Sequence, residues 1–177
     1  MTHPLQHFRN AVAQMERPRI LLTGAKPWEG SAVFDYSQYA PHGDWIGTDI
    51  EAGPGVAIVA DLQRINETGE QFDAIFSPST LEHIERPWVA MWSMAQVLKP
   101  GGIICIHTHQ TYPVHGYPQD YFRFSTNAMR TLCFDAGLEV IECEYDNPAV
   151  IVPPPGITGW NCVAEAWLNV NTCARKK

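Results

Sequence analysis

The sequence predicts a doubly wound α/β domain with a mostly parallel sheet, and two observations carry that expectation. Short apolar runs alternate with helix-length stretches along most of the chain. The central runs are nearly continuous in Val, Ile and Leu, as strands covered on both faces require. A third observation closes the sheet. The last two strand-like runs, "LEVIECEY" and "WNCVAEAWLNV", are joined without a helix, which predicts an antiparallel C-terminal edge pair.

Each element follows in order. Leu5, Phe8, Val12 and Met15 recur at helical spacing, so residues 1–17 read as an N-terminal helix that Pro18 ends. "RILLTG" is the first strand. "GSAVFDYSQYA" reads as a short helix that Ser31 could cap. "WIGTDI" and, after the turn-forming "GPG", "VAIVAD" are the second and third strands, and "FDAIFS" is the fourth. Arg86 to Leu98 reads as a helix stopped by "KPGG", and "GGIICIHTH" as the fifth strand. Ser125 opens a further helix that Gly137 closes. The proline-rich "NPAVIVPPPG" reads as a connection and the closing "ARKK" as a solvated tail.

Composition narrows the function. The 177 residues suit a single domain, residues 1–177, with a substantial core, and 45% hydrophobic against 18% charged residues is ordinary for a folded chain. A net charge of −7 with only 12 Lys+Arg speaks against nonspecific binding of nucleic acid. Five cysteines, odd in number and never in C-x-x-C form, point to a reduced, cytoplasmic setting and not to a disulfide framework or zinc finger. No stretch reaches about 18 consecutive apolar residues, so no membrane span is expected.

In doubly wound folds ligands sit beyond the carboxyl ends of the strands. Those ends carry Gly24, Asp49, Asp61, Ser77, His107 and His109. Asp49 is spaced from Gly24 so that its carboxylate can accept hydrogen bonds from a ribose diol, and Asp61, beside Leu62, can receive a purine amine. Acidic residues also end strands and cap helices for structural reasons. The glycine turn "TGAKPWEG" fails both G-x-G-x-x-G and the G-x-x-x-x-G-K-[ST] phosphate loop, and no G-x-S-x-G elbow exists, which weakens dehydrogenase, NTPase and hydrolase readings.

The strings "WIGTDIEAGPGVAIVADLQRI", "FDAIFSPSTLEHIERPW" and "QVLKPGGIICI" resemble the class I S-adenosylmethionine-dependent methyltransferases, in particular a small branch with a later motif like "HGYPQDYFRFS". The resemblance runs from about Arg19 to Glu144 and implies a Rossmann-like fold with S-adenosyl-L-methionine as cofactor. It implies that Asp49 and Ile50 meet the ribose side, Asp61 and Leu62 the adenine, and Ser77 the methionine part. Gly24, Lys26 and Gly30 would line the loop, with Glu82 and His83 at the rim. The family usually has an acidic residue and close glycines after the first strand; here Thr23 stands at the acidic position. S-adenosylmethionine lacks a phosphate, so a looser loop can hold it, with Lys26 answering its carboxylate. Trp28 would lie against the cofactor or pack under the loop.

Residues 109–124 would form a substrate-side loop bearing His115, Tyr117, Asp120, Tyr121 and Arg123, although Asp120 and Arg123 could equally be a structural staple. His83 is the first choice of general base, with His109 and His115 next, because a neutral imidazole accepts protons near its ordinary pKa of about 6.5. No H-E-x-x-H or H-x-x-E-H helix is present, so no metal is expected. Two functions follow: methyl transfer to a small-molecule or glycan hydroxyl, or a non-catalytic module of the same fold that has lost cofactor binding.

Overall fold

The computed structural model describes residues 2–27, 35–116, 118–152, 154, 156 and 164–177. Its elements run α1 (Pro4–Val12), β1 (Arg19–Thr23), β2 (Asp44–Asp49), β3 (Ile58–Val59), β4 (Phe72–Pro78), α2 (Pro87–Val97), β5 (Leu98–His109), α3 (Thr126–Asp135), β6 (Leu138–Ile151) and β7 (Ala164–Lys176). One seven-stranded sheet has the order β3-β2-β1-β4-β5-β7-β6. The first five strands pair in parallel, and β7 pairs antiparallel with both β5 and β6. The strand order therefore reverses at β1, with β2 on one side and β4 on the other, and the crevice that doubly wound folds form at such a switch point falls at those strand tips.

Alternation along the strands sends side chains to two separate cores. Ile75, Ile104 and Ile106 face α2, α3 and the 3-10 helix Leu62–Thr68, packing with Met91, Met94 and Met129. Ala74, Phe76, Ile103 and Cys105 face α1, where Phe8 and Val12 are fully buried. Pro4 begins α1 at a position that needs no N–H, and His3 Nδ1 accepts from Leu5 N at 3.2 Å. Ser125 caps α3 by accepting from Ala128 N at 3.1 Å, and Gly137 follows that helix at φ 75°.

Five local expectations need correction, the first being the N-terminal helix, which spans Pro4–Val12 and not residues 1–17. Ser31 lies outside the described residues, and the described end of that segment is a 3-10 helix, Tyr36–Tyr39, capped by Asp35. The third strand shrinks to Ile58–Val59, paired with Thr48 and Asp49 of β2. β6 continues through "NPAVI" to Ile151; it is the sheet's outer strand, where a proline does not break a ladder on both sides. The tail is strand as far as Lys176, whose Nζ donates to the Leu98 carbonyl at 2.6 Å.

The cysteines among the described residues, Cys105, Cys133, Cys143 and Cys173, are free and buried. Among those residues no helix is long and apolar enough to cross a membrane.

Candidate functional site

The crevice begins at Gly24, which follows β1 at φ +61°. A Cβ there would stand 2.6 Å from Thr80 Oγ1, so the turn approaches the tip of β4 too closely for a side chain. Beneath it, Thr23 is fully buried, with Oγ1 2.7 Å from Ser77 Oγ and 3.1 Å from Thr80 Oγ1; Thr80 in turn donates to the Pro78 carbonyl at 2.8 Å. This hydroxyl chain joins the tips of β1 and β4 without charge. It explains how Thr23 stands at a position the sequence resemblance expects to be acidic. Ser77 is 1% exposed and belongs to that chain.

At the tip of β2, Asp49 accepts from Lys26 N at 3.1 Å through Oδ2 and from Glu51 N at 3.2 Å through Oδ1. Two backbone donors hold the carboxylate in place while each oxygen keeps a further lone pair. Lys26 Nζ pairs with Glu51 at 2.5 Å. Ile50 and Val59 are each 57% exposed and form an apolar platform at the ends of β2 and β3. Asp61 caps the following 3-10 helix, accepting from Gln63 N at 2.9 Å. Leu62, the first residue of that helix, is buried in the core. Gly30 lies outside the described residues.

The second half of the site gathers at the tips of β4 and β5. His83, at the end of the 3-10 helix Leu81–His83, has Nδ1 2.6 Å from the Gln119 carbonyl. A carbonyl cannot donate, so Nδ1 carries the proton, and in the neutral ring Nε2 is left as an acceptor. His83 meets His115 edge-on at 4.8 Å between ring centres, His115 meets His109 at 5.4 Å, and His109 meets His107 at 6.2 Å. Tyr112 stacks on His109 at 4.2 Å. Burial, and then the neighbouring His109, push the His107 pKa below the usual imidazole value. Burial also lowers that of His109, against the opposing pull of Glu82.

Glu82 is fully buried. Its Oε2 accepts from the Thr108 hydroxyl at 2.7 Å, and its Oε1 lies 3.1 Å from His109 Nε2. His109 Nδ1 is 3.0 Å from Asn169 Oδ1 on β7. The connection after β5 closes over this group: its Tyr121 and Phe122 amides donate to the Glu82 carbonyl. The connection is itself clasped by Asp120 and Arg123, joined by bonds of 2.5 and 2.7 Å, while Arg123 also reaches the Tyr112 and Pro113 carbonyls. That guanidinium holds the Asp120 carboxyl well below the usual carboxylate range. The staple anticipated for these two residues is thus present, and it frames the histidine row. Tyr121 is 47% exposed, and Tyr117 lies outside the described residues.

His107 opens onto a cavity of about 300 Å³ on the α1 side, lined also by His3, Tyr36, Tyr39, Phe76 and Asn171. This cavity was not legible in the sequence, because it draws on the chain's first residues, on the turn after β1 and on β7. Ser79, beside it, adopts φ 42° and donates its amide to the His107 carbonyl at 2.8 Å. A non-glycine residue in that region is uncommon and marks the β4 tip as strained.

Comparison with known proteins agrees with this architecture. The methyltransferase domain family matches residues 40–106. A comparison with curated proteins finds no match. Among solved structures, a candidate methyltransferase from Bacillus halodurans superposes with a TM-score of 0.68 at 13% identity, covering 97% of this chain and 98% of that one. A SAM-dependent methyltransferase from Archaeoglobus fulgidus gives 0.67 at 12% identity, over 97% and 91% of the two chains. A 1,6-didemethyltoxoflavin-N1-methyltransferase from Burkholderia thailandensis, solved with its substrate and S-adenosylhomocysteine, gives 0.63 at 14% identity over 98% and 78%. The methyltransferase domain match thus spans β2 to β5, and the chain shares the fold of these S-adenosylmethionine-dependent methyltransferases over nearly its whole length.

Proposed function

We propose that the chain methylates a hydroxyl group of a small-molecule or glycan acceptor, with S-adenosylmethionine as donor. The residues at the tips of β1–β3 fit an adenosyl group. Asp49 is oriented by two amides with lone pairs to spare for a ribose diol, and Ile50 and Val59 offer exposed apolar surface beside it. Gly24 keeps a side chain out of the crevice floor. Lys26 is paired with Glu51, so a cofactor carboxylate would have to share or displace that partner.

When bound, S-adenosylmethionine supplies an electrophilic methyl group, and the chain's own part is alignment, exclusion of water and removal of a proton. His83 carries that last role. The observation behind this assignment is its Nδ1 contact with the Gln119 carbonyl, which fixes the tautomer with Nε2 free to accept the acceptor's hydroxyl proton. The cavity beside His107 offers aromatic faces together with His3 and Asn171, a lining suited to a polyhydroxylated molecule.

Incubation with isotopically labelled S-adenosylmethionine and a panel of sugars and small alcohols, followed by mass spectrometry, tests this proposal. Label on oxygen is expected. His83→Ala should slow transfer by roughly 10²–10⁴-fold while leaving cofactor binding intact. Label on nitrogen or carbon, or unchanged turnover in His83→Ala, would remove the hydroxyl-and-base assignment. A second reading, a binding module without catalysis, draws on the Lys26 amide already occupying Asp49 Oδ2. It predicts no stabilisation by the cofactor at any concentration.

A further inference from the structure

We propose that Glu82, His109 and His115 bind a divalent first-row transition ion, such as Zn2+, through one carboxylate oxygen and two imidazole nitrogens. The ligand atoms these three residues offer all lie within 4.8 Å of one another. Glu82 Oε1 and His109 Nε2 are 3.1 Å apart. Two ligands on one tetrahedral ion, with bonds of ~2.0 Å, stand ~3.3 Å from each other. That pair is already at ligand spacing. The third donor is on the connection after β5, where the His115 side chain is 26% exposed and its Nδ1 lies 3.4 Å from Asp120 Oδ2.

The independent observation is Glu82 Oε1 itself. It is buried, and despite the nearby imidazole it has no hydrogen bond among the described residues. The His109 nitrogen is close to it but not directed at it, as when two donors converge on a shared third point. A buried carboxylate oxygen in that condition is unfavourable, and a cation between the two groups relieves it. Both imidazoles also have the outer bond that orients a metal-binding ring: His109 Nδ1 with Asn169 Oδ1 at 3.0 Å, and His115 Nδ1 with the Pro113 carbonyl at 3.1 Å. Two nitrogens and one oxygen suit Zn2+, Co2+ or Fe2+ better than Mg2+ or Ca2+.

Histidines crowd the end of β5 in the sequence, but motif spacing argues against a metal there because these ligands do not lie along one helix. Glu82 comes from a 3-10 helix, His109 from β5 and His115 from the connection beyond it. The site goes beyond the methyl-transfer proposal and is tested without S-adenosylmethionine, so either can fail alone.

The test is titration of the metal-free chain with Zn2+ by calorimetry and with Co2+ by visible absorption, for wild type, His115→Ala, Glu82→Gln and the outlying control His42→Ala. One equivalent should bind to wild type and to His42→Ala, with d–d bands for Co2+. Binding should weaken at least about tenfold in His115→Ala and Glu82→Gln. Failure of both ions to bind stoichiometrically, or a His115→Ala chain that binds as tightly as wild type, overturns the proposal. His115 is partly exposed, so its variant decides the matter even if Glu82→Gln does not fold.

Discussion

At Gly24 the crevice depends on the absence of one methyl group. Its φ of +61° and the 2.6 Å approach of Thr80 Oγ1 both oppose a Cβ. Gly24→Ala should therefore destabilise the chain by ~1–2 kcal/mol, from left-handed backbone strain alone. Urea denaturation measures this, and an unchanged midpoint would contradict the turn's geometry. Thr23 illustrates the limit of reading such a position by resemblance. Its side chain has the wrong chemistry for the family's acidic residue, yet it is the centre of a hydroxyl chain from Ser77 to the Pro78 carbonyl. Nothing in the order of residues announces that Ser77, Thr23 and Thr80 meet, since the contact needs β1 and β4 to pair. Asp49, by contrast, was legible as a strand-tip carboxylate from spacing alone. Its backbone partners, Lys26 N and Glu51 N, were not.

The connection between β5 and α3 depends on the Asp120–Arg123 clasp. Because Arg123 lowers the Asp120 pKa in the folded state, the clasp contributes stability that is present above the unfolded carboxyl value of about 3.9 and lost as pH falls through the folded value. The difference in thermal midpoint between wild type and Asp120→Asn should be constant near neutrality and shrink steadily below about pH 4. A difference that does not vary with pH would assign the effect to packing instead. Elements bounded by local signals were legible: Ser125 and Gly137 bracket α3, and the apolar runs mark β1, β2, β4 and β5. Where the controlling contact is distant, the sequence misleads. Pro148 looks like a loop residue until β6 is seen to be the outer strand, and Arg175 looks like tail until it pairs with Ile103. The histidine row is of the same kind. His107 and His109 share a strand, Glu82 meets that strand directly through Thr108 and His109, and His83 and His115 come together through the closing connection.

Across the whole molecule, the sheet divides the work between its faces and its tips. On one face Phe76 gathers Phe8, Tyr36 and Tyr39 at 5.4 Å each, which ties α1 and the turn after β1 to the centre of the sheet. On the other, α2 and α3 press methionines onto the strands. At the carboxyl ends, the order β2-β1-β4 places the switch point of the sheet. The central claim is that Asp49, at the crevice's edge, receives an adenosyl group. Thermal denaturation in the presence of S-adenosylhomocysteine tests it most directly. At one hundred times the dissociation constant the ligand should stabilise the wild-type chain by about 2.7 kcal/mol and the Asp49→Ala chain not at all. Wild-type and variant midpoints that both stay unmoved at millimolar ligand, or that rise together, would contradict the account.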